Sequence, residues 1–198
     1  MGELVLIRHG ETEWSLTGRH TSYTDLPLTE NGEAQARSLA PLLAARDISA
    51  VLTSPLHRAR DTAKLAGVGH ATVDPGLHEW DYGGYEGVTT VDIHRERPRW
   101  DLWTDGVIPG PEGHPGETAQ QIGERADRVL ARVDAILAAG VDGDVVLVAH
   151  AHFLRVLTAR RLGLPAVDGA LFQLATGTVG ALGTEHGRSV LTAWNRMP

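Results

Sequence analysis

The chain has 198 residues, 42% hydrophobic and 22% charged, a length and balance that fit a single domain across residues 1–198 with a core of its own. Eighteen Lys and Arg against 25 Asp and Glu leave a formal charge of −7, which disfavours a broad surface for nucleic acid or anionic lipid; any anion must be gripped locally. The lack of cysteine excludes disulfides, thiol nucleophiles, iron–sulfur clusters and thiolate zinc sites. Met1 to Ile7 lacks the basic start and long apolar stretch of a signal peptide, and no segment approaches the ~20 apolar residues of a membrane span. A cytosolic chain is expected.

Leu4 to Ile7 is an apolar run of β-formers and reads as a buried parallel strand. Arg8 to Leu28 follows as a long polar loop without a helical or strand period, a feature that in a compact domain points to function. Thr29 is placed to cap a helix to about Arg46 with Leu39, Leu42 and Leu43 inward, and Pro41 within it predicts a kink, since a mid-helix proline costs roughly 3 kcal/mol. Ala50 to Thr53 is a second strand, and Ser54-Pro55 predicts an N-cap with proline at the first helical position of a helix through about Ala66. Thr72 to Trp80 is mixed, Gly83, Gly84 and Gly87 punctuate a loop, a short helix is expected near Val91, and Ile108 to Gly116 is irregular. Glu117 to Ala139 is the clearest helix, with Ile122, Ala126, Val129, Val133, Ile136 and Leu137 recurring at helical spacing and Gly140 as the stop. Asp144 to Ala149 is a strand of Val and Leu ending on His150, and His152 to Leu162 is a helix. Leu171 to Ala175, Thr178 to Leu182 and Val190 to Trp194 read as strands, the first two joined in a hairpin at Thr176-Gly177. Strands alternating with helices predict a three-layer α/β/α fold with a largely parallel central sheet and one antiparallel edge.

In such a sheet ligands bind beyond the carboxyl ends of the strands, where Arg8-His9 and His150 fall. A helix cap or packed polar residue is the ordinary explanation for either histidine alone; two such strand endings shift the balance. Arg8 adds a planar fork suited to phosphate or carboxylate, and Gly10 permits close backbone approach.

Leu6-Ile7-Arg8-His9-Gly10-Glu11-Thr12, then Ser54-Pro55-Leu56-His57-Arg58-Ala59, Leu77-His78-Glu79-Trp80 and Val148-Ala149-His150 together resemble the histidine phosphatase superfamily, the phosphoglycerate mutase-like proteins, over about residues 4 to 160. The resemblance implies a phosphate-ester hydrolase in which His9 is the nucleophile, Arg8, Arg58 and His150 surround the phosphoryl oxygens, and Glu79 gives its proton to the leaving alkoxide, with neither metal nor other cofactor. It also implies substrate contacts from Ser15, Thr21, Ser22 and Ala151, where Ser15 replaces the Asn common in the family and Ala151 its usual Gly. Glu79 needs its pKa raised for that role, and Glu86 is its nearby competitor. Trp80 stands where the mutases carry a basic residue, so hydrolysis of small phosphate esters, sugar phosphates or bisphosphates, is expected ahead of mutase turnover.

Three other readings stay open at this stage: a phosphoglycerate mutase, a non-catalytic phosphate-recognition module, and a metal hydrolase built on His150 and His152, which lacks an evident third ligand. His20 is a candidate rim contact, and Trp14, Trp80, Trp100 and Trp103 are candidates for either the mouth of a site or the core. Whether the chain is a monomer or a homodimer is left open.

Overall fold

The computed structural model describes residues 2–139 and 142–197. Its elements run β1 (Leu4–Arg8), α1 (Glu13–Thr17), α2 (Glu30–Ser38), α3 (Ala40–Ala44), β2 (Ile48–Thr53), α4 (His57–Leu65), β3 (Thr72–Val73), α5 (Thr90–Glu96), α6 (Leu102–Asp105), α7 (Ala119–Ala138), β4 (Asp144–Ala149), α8 (Ala151–Arg161), β5 (Val179–Glu185) and β6 (Arg188–Arg196). One six-stranded sheet has the order β3-β2-β4-β1-β5-β6. Its first four strands are mutually parallel, while β5 is antiparallel to β1 and β6 to β5.

The strands alternate between two cores, which explains why they read as continuous apolar runs. Leu4, Leu6, Val145, Leu147 and Ala149 face α7, α8 and the segment around Leu77–Trp103. Val5, Ile7, Val146 and Val148 face α3 and α4 through Leu39, Leu43, Ala59 and Ala63. The sheet is therefore covered on both faces, giving three layers. The chain leaves β1 toward β2, on the far side of β4, whereas it leaves β4 toward β5, on the far side of β1. Connections thus diverge at the carboxyl ends of the β1–β4 pair, the topological switch point where α/β sheets bind ligands. Among the described residues no helix is long and apolar enough to cross a membrane.

Several elements differ from expectation. The loop after β1 contains α1, closed by a capping box between Thr12 and Ser15 and by Gly18 at φ 73°. The helix predicted from Thr29 to Arg46 is split at Leu39; Pro41 falls in the first turn of α3, where its missing N–H costs nothing. Helix α4 begins two residues after Pro55 with Leu56 at its N-cap, because the Ser54 side chain is drawn into the site described below. Leu171 to Ala175 is not a strand. Its first residue ends a 3₁₀ turn over Ala166–Leu171, and side chains satisfy the backbone beyond it, with Trp194 Nε1 donating to Gln173 O at 2.6 Å and Ala175 N to Asn195 Oδ1 at 2.8 Å. The hairpin lies instead between β5 and β6 at His186-Gly187, both at positive φ (49° and 75°) as a two-residue turn of this hand requires. The Gly140 stop lies outside the described residues; α7 itself starts two residues after Glu117, capped by Thr118 with Gln121 reciprocating.

Candidate active site

The parallel register sets Arg8 against Ala149 and Thr53 against Val148, so the residues that follow each strand meet at one edge. His9 N donates to Ala149 O and Ser54 N to Val148 O, both at 3.0 Å. The rings of His9 and His150 consequently lie 5.1 Å apart, centre to centre. A crevice of about 200 Å³ opens there, lined by Arg8, His9, Glu79, Tyr82, Ala151 and His152 on the sheet side and by Thr12, Ser15, Arg19, His20 and Thr21 from the loop after β1.

His9 is 6% exposed, and its Nδ1 lies 2.7 Å from Gly10 O. A carbonyl oxygen only accepts, so Nδ1 carries the proton and Nε2 keeps its lone pair. Burial, then the charges of Arg58 and Arg8, hold the His9 pKa well below the ordinary imidazole range, leaving the ring neutral at pH 7. Gly10 serves packing: a Cβ there would lie 2.3 Å from Gly32 O on α2, so the close approach it allows is to protein backbone.

Arg58 is fully buried on α4 and donates Nε to His150 Nδ1 at 3.2 Å, Nη1 to Thr24 O at 2.9 Å, and Nη2 to Thr21 O and Ser22 O at 3.3 and 2.9 Å. Since Arg58 can only donate, His150 Nδ1 accepts and its Nε2–H donates to Ser54 Oγ at 2.7 Å. His150 is likewise held neutral by burial and by Arg58. Arg58 and His150 therefore join the cluster from behind His9 and are not on the crevice lining. Arg8, which is on that lining, donates Nη1 to Leu174 O at 2.6 Å and leaves its buried Nε without a partner.

Glu79 is 5% exposed and closes the amino terminus of α8. Its Oε1 accepts from Trp80 N and Phe153 N at 2.7 and 2.8 Å, and Oε2 from His152 N at 3.0 Å. These bonds and Arg8 favour the carboxylate, but burial outweighs them and raises the pKa above the usual carboxyl value. A buried carboxyl of raised pKa, a neutral imidazole with a free lone pair and a buried guanidinium thus share one crevice.

The predicted substrate contacts separate. Ser15, Thr21 and Ala151 line the crevice. Ser15 Oγ is already committed to the α1 cap, accepting from Thr12 N at 2.8 Å and donating to Thr12 O at 3.0 Å. Ser22 is 4% exposed and off the lining, its backbone bound to Glu86 and Arg58. His20 is on the rim, where its Nδ1–H donates to Val88 O at 2.7 Å. None of the four tryptophans is on the lining; Trp80 and Trp100 are core residues. His150 and His152 turn to different partners, the latter to Tyr82 Oη at 2.6 Å, and among the described residues no three His, Asp or Glu side chains gather as metal ligands. Sequence reasoning assigned no role to Tyr82 and passed over the His152 ring as a wall; the signal available was their place three residues after Glu79 and two after His150.

A buried imidazole, guanidinium and carboxyl at the switch point of a doubly covered sheet define a phosphate-handling α/β protein. The family model of the histidine phosphatase superfamily (branch 1) matches residues 4–197, and the chain belongs to that superfamily, hydrolases of phosphate monoesters. It is 40% identical over 186 residues to an acid phosphatase of Mycobacterium tuberculosis, covering 93% of this chain and 87% of the relative. It is 36% identical over 189 residues to sedoheptulose 1,7-bisphosphatase of Saccharomyces cerevisiae, with 81% and 67% covered. The solved structure of an open reading frame product of M. tuberculosis superposes with a TM-score of 0.89 at 39% identity, covering 99% of this chain and 98% of that one.

Proposed function

We propose that this chain hydrolyses small phosphate monoesters through a phosphohistidine on His9, without a metal ion. The observation that carries the reading is the His9 ring on the crevice lining, with Nδ1–H tied to Gly10 O and Nε2 left as the only nucleophilic nitrogen. Nε2 attacks phosphorus while the ester P–O bond breaks, and the departing oxygen takes the Glu79 proton. Water then attacks the phosphohistidine, loses a proton to the Glu79 carboxylate and releases phosphate, which returns both groups to their starting forms. Arg8, on the lining, has only one guanidinium N–H taken, by Leu174 O, and offers its charge and remaining N–H groups to the phosphoryl oxygens. Arg58 adds charge from behind, and its four bonds leave one of five N–H groups, on Nη1, uncommitted. Fixed cations of this kind stabilise the transferring group as metal ions do elsewhere.

The crevice is small and walled by hydroxyls and imidazoles from Ser15, Thr21, Tyr82, Thr90, His20 and His152. Burial lowers the pKa of both His20 and His152, so they meet a leaving group as neutral hydrogen-bonding rings. That lining suits a hydroxyl-rich leaving group, in keeping with sugar phosphates or bisphosphates. Trp80 is fully buried with its Nε1 on Glu117 O, so the position next to the proton donor offers no cation to retain a second phosphoryl intermediate, which favours hydrolysis over mutase turnover.

The test is turnover of p-nitrophenyl phosphate and of a panel of sugar phosphates, sugar bisphosphates, phosphoglycerates and nucleotides between about pH 5 and pH 7, with and without chelator. Chelator-insensitive hydrolysis that ranks the sugar esters first by kcat/KM is expected. Conversion of 3- to 2-phosphoglycerate outrunning phosphate release would overturn the hydrolase reading.

A further inference from the structure

Glu86 has the residue type of a proton donor and lies seven positions after Glu79, yet it is off the crevice lining and both its oxygens are occupied. Oε1 accepts from the N–H groups of Ser22 and Thr24, each at 3.0 Å, and Oε2 from Ser22 at 2.8 Å. The same backbone stretch meets the Arg58 guanidinium through the carbonyls of Thr21, Ser22 and Thr24. An anion thus takes its N–H groups and a buried cation its C=O groups. The neighbouring residues are already tied together, His20 N donating to Val88 O at 3.0 Å and Gly87 N to His20 O at 2.8 Å, so the carboxylate extends an existing backbone ladder toward the crevice.

We propose that Glu86 is a positioning residue for the hydrolytic reaction: it clamps Thr21–Thr24 against Arg58, whose guanidinium is itself buried and held on His150, and thereby sets the crevice wall at Thr21. The proposal rests on the phosphomonoesterase reading of the site. Charge-assisted bonds to backbone N–H groups are among the stronger hydrogen bonds in proteins, and removing a shared acceptor strands two donors at once. Without it the wall at Thr21 drifts while Arg58 stays on His150. Substrate and transition state both meet this wall, so the loss falls on KM, with kcat little changed.

The experiment compares wild type, E86A and E86Q with p-nitrophenyl phosphate as substrate and inorganic phosphate as competitive inhibitor. E86A is expected to raise KM and the phosphate inhibition constant by about tenfold each with kcat within about threefold, and E86Q, which keeps an acceptor oxygen, to recover most of the loss. Where E86A does not fold, the residual rise in KM of about two- to threefold at unchanged kcat in E86Q carries the claim, and wild-type KM in E86Q overturns it. A lower Tm with KM unmoved would make Glu86 merely structural and overturn the proposal. So would a fall in kcat that grows with leaving-group pKa, which would make it a proton donor. If wild type hydrolyses nothing, the reading of the site fails separately, and calorimetric phosphate affinity in wild type and E86A still decides the clamp: equal affinities contradict it.

Discussion

The two ends of the same parallel strands treat charge in opposite ways. At the amino ends Arg46 lies between Glu3 and Asp144, at 3.1 and 2.6 Å, and Asp144 also accepts Glu3 N–H at 2.8 Å. Burial alone would lower the Arg46 pKa, but its bonds to Asp144 and Glu3 raise it, so each charge there has an opposite partner. At the carboxyl ends Arg8 keeps a buried nitrogen without a partner, His9 and His150 are held neutral, and burial pushes Glu79 toward its protonated form. One end is a closed staple. The other carries surplus positive potential that an anion can satisfy.

Substitutions at the open end should therefore cost activity and leave folding intact. His9→Ala removes the proposed nucleophile and should lower kcat for p-nitrophenyl phosphate by at least about 10⁴-fold, measured against unchanged circular dichroism. Arg8→Ala removes an oxyanion donor and should cost about 10² to 10³ in kcat/KM, with weaker inhibition by vanadate as a second readout. Glu79→Gln should slow alkyl phosphates by about 10² or more and aryl phosphates less, because only a poor leaving group needs the proton in the transition state. The pH profile follows from the same two shifts. Activity is lost on the alkaline side as pH rises through the raised Glu79 pKa, and on the acid side only as pH falls through the lowered His9 pKa, and Glu79→Gln should remove the alkaline limb for aryl phosphates. At the closed end Arg46→Ala should do the reverse, costing about 1–3 kcal/mol of stability in denaturant melts while kcat/KM stays within about twofold. An Arg46 variant that lost activity without losing stability would erase the contrast between the ends.

Much of this asymmetry was legible in the chain because it depends on where strands stop. Short runs of Val, Leu and Ile mark β1 and β4, and the residues after them, His9 and His150, are then forced to one edge by parallel pairing. The exposure of each group was not legible. Nothing local to Arg58 says that four of its N–H groups go to His150 and to backbone carbonyls of residues 21–24, contacts made across 34 to 92 residues of sequence. Ser54 misled for a similar reason: a Ser-Pro pair looks like a helix start until a histidine that follows another strand competes for the hydroxyl. The hairpin is expected at Thr176-Gly177, a Gly-containing pair between two apolar runs, but the strands that pair flank His186-Gly187.

The central claim is that phosphorus passes through Nε2 of His9. Rapid acid-free quenching of the protein with a radiolabelled phosphomonoester, followed by peptide mapping, tests it directly. The account predicts one acid-labile, base-stable phosphate on the peptide carrying His9, formed at least as fast as turnover and absent in His9→Ala. Steady hydrolysis with no trapped phosphoenzyme under single-turnover conditions, or a label on any other residue, would contradict it.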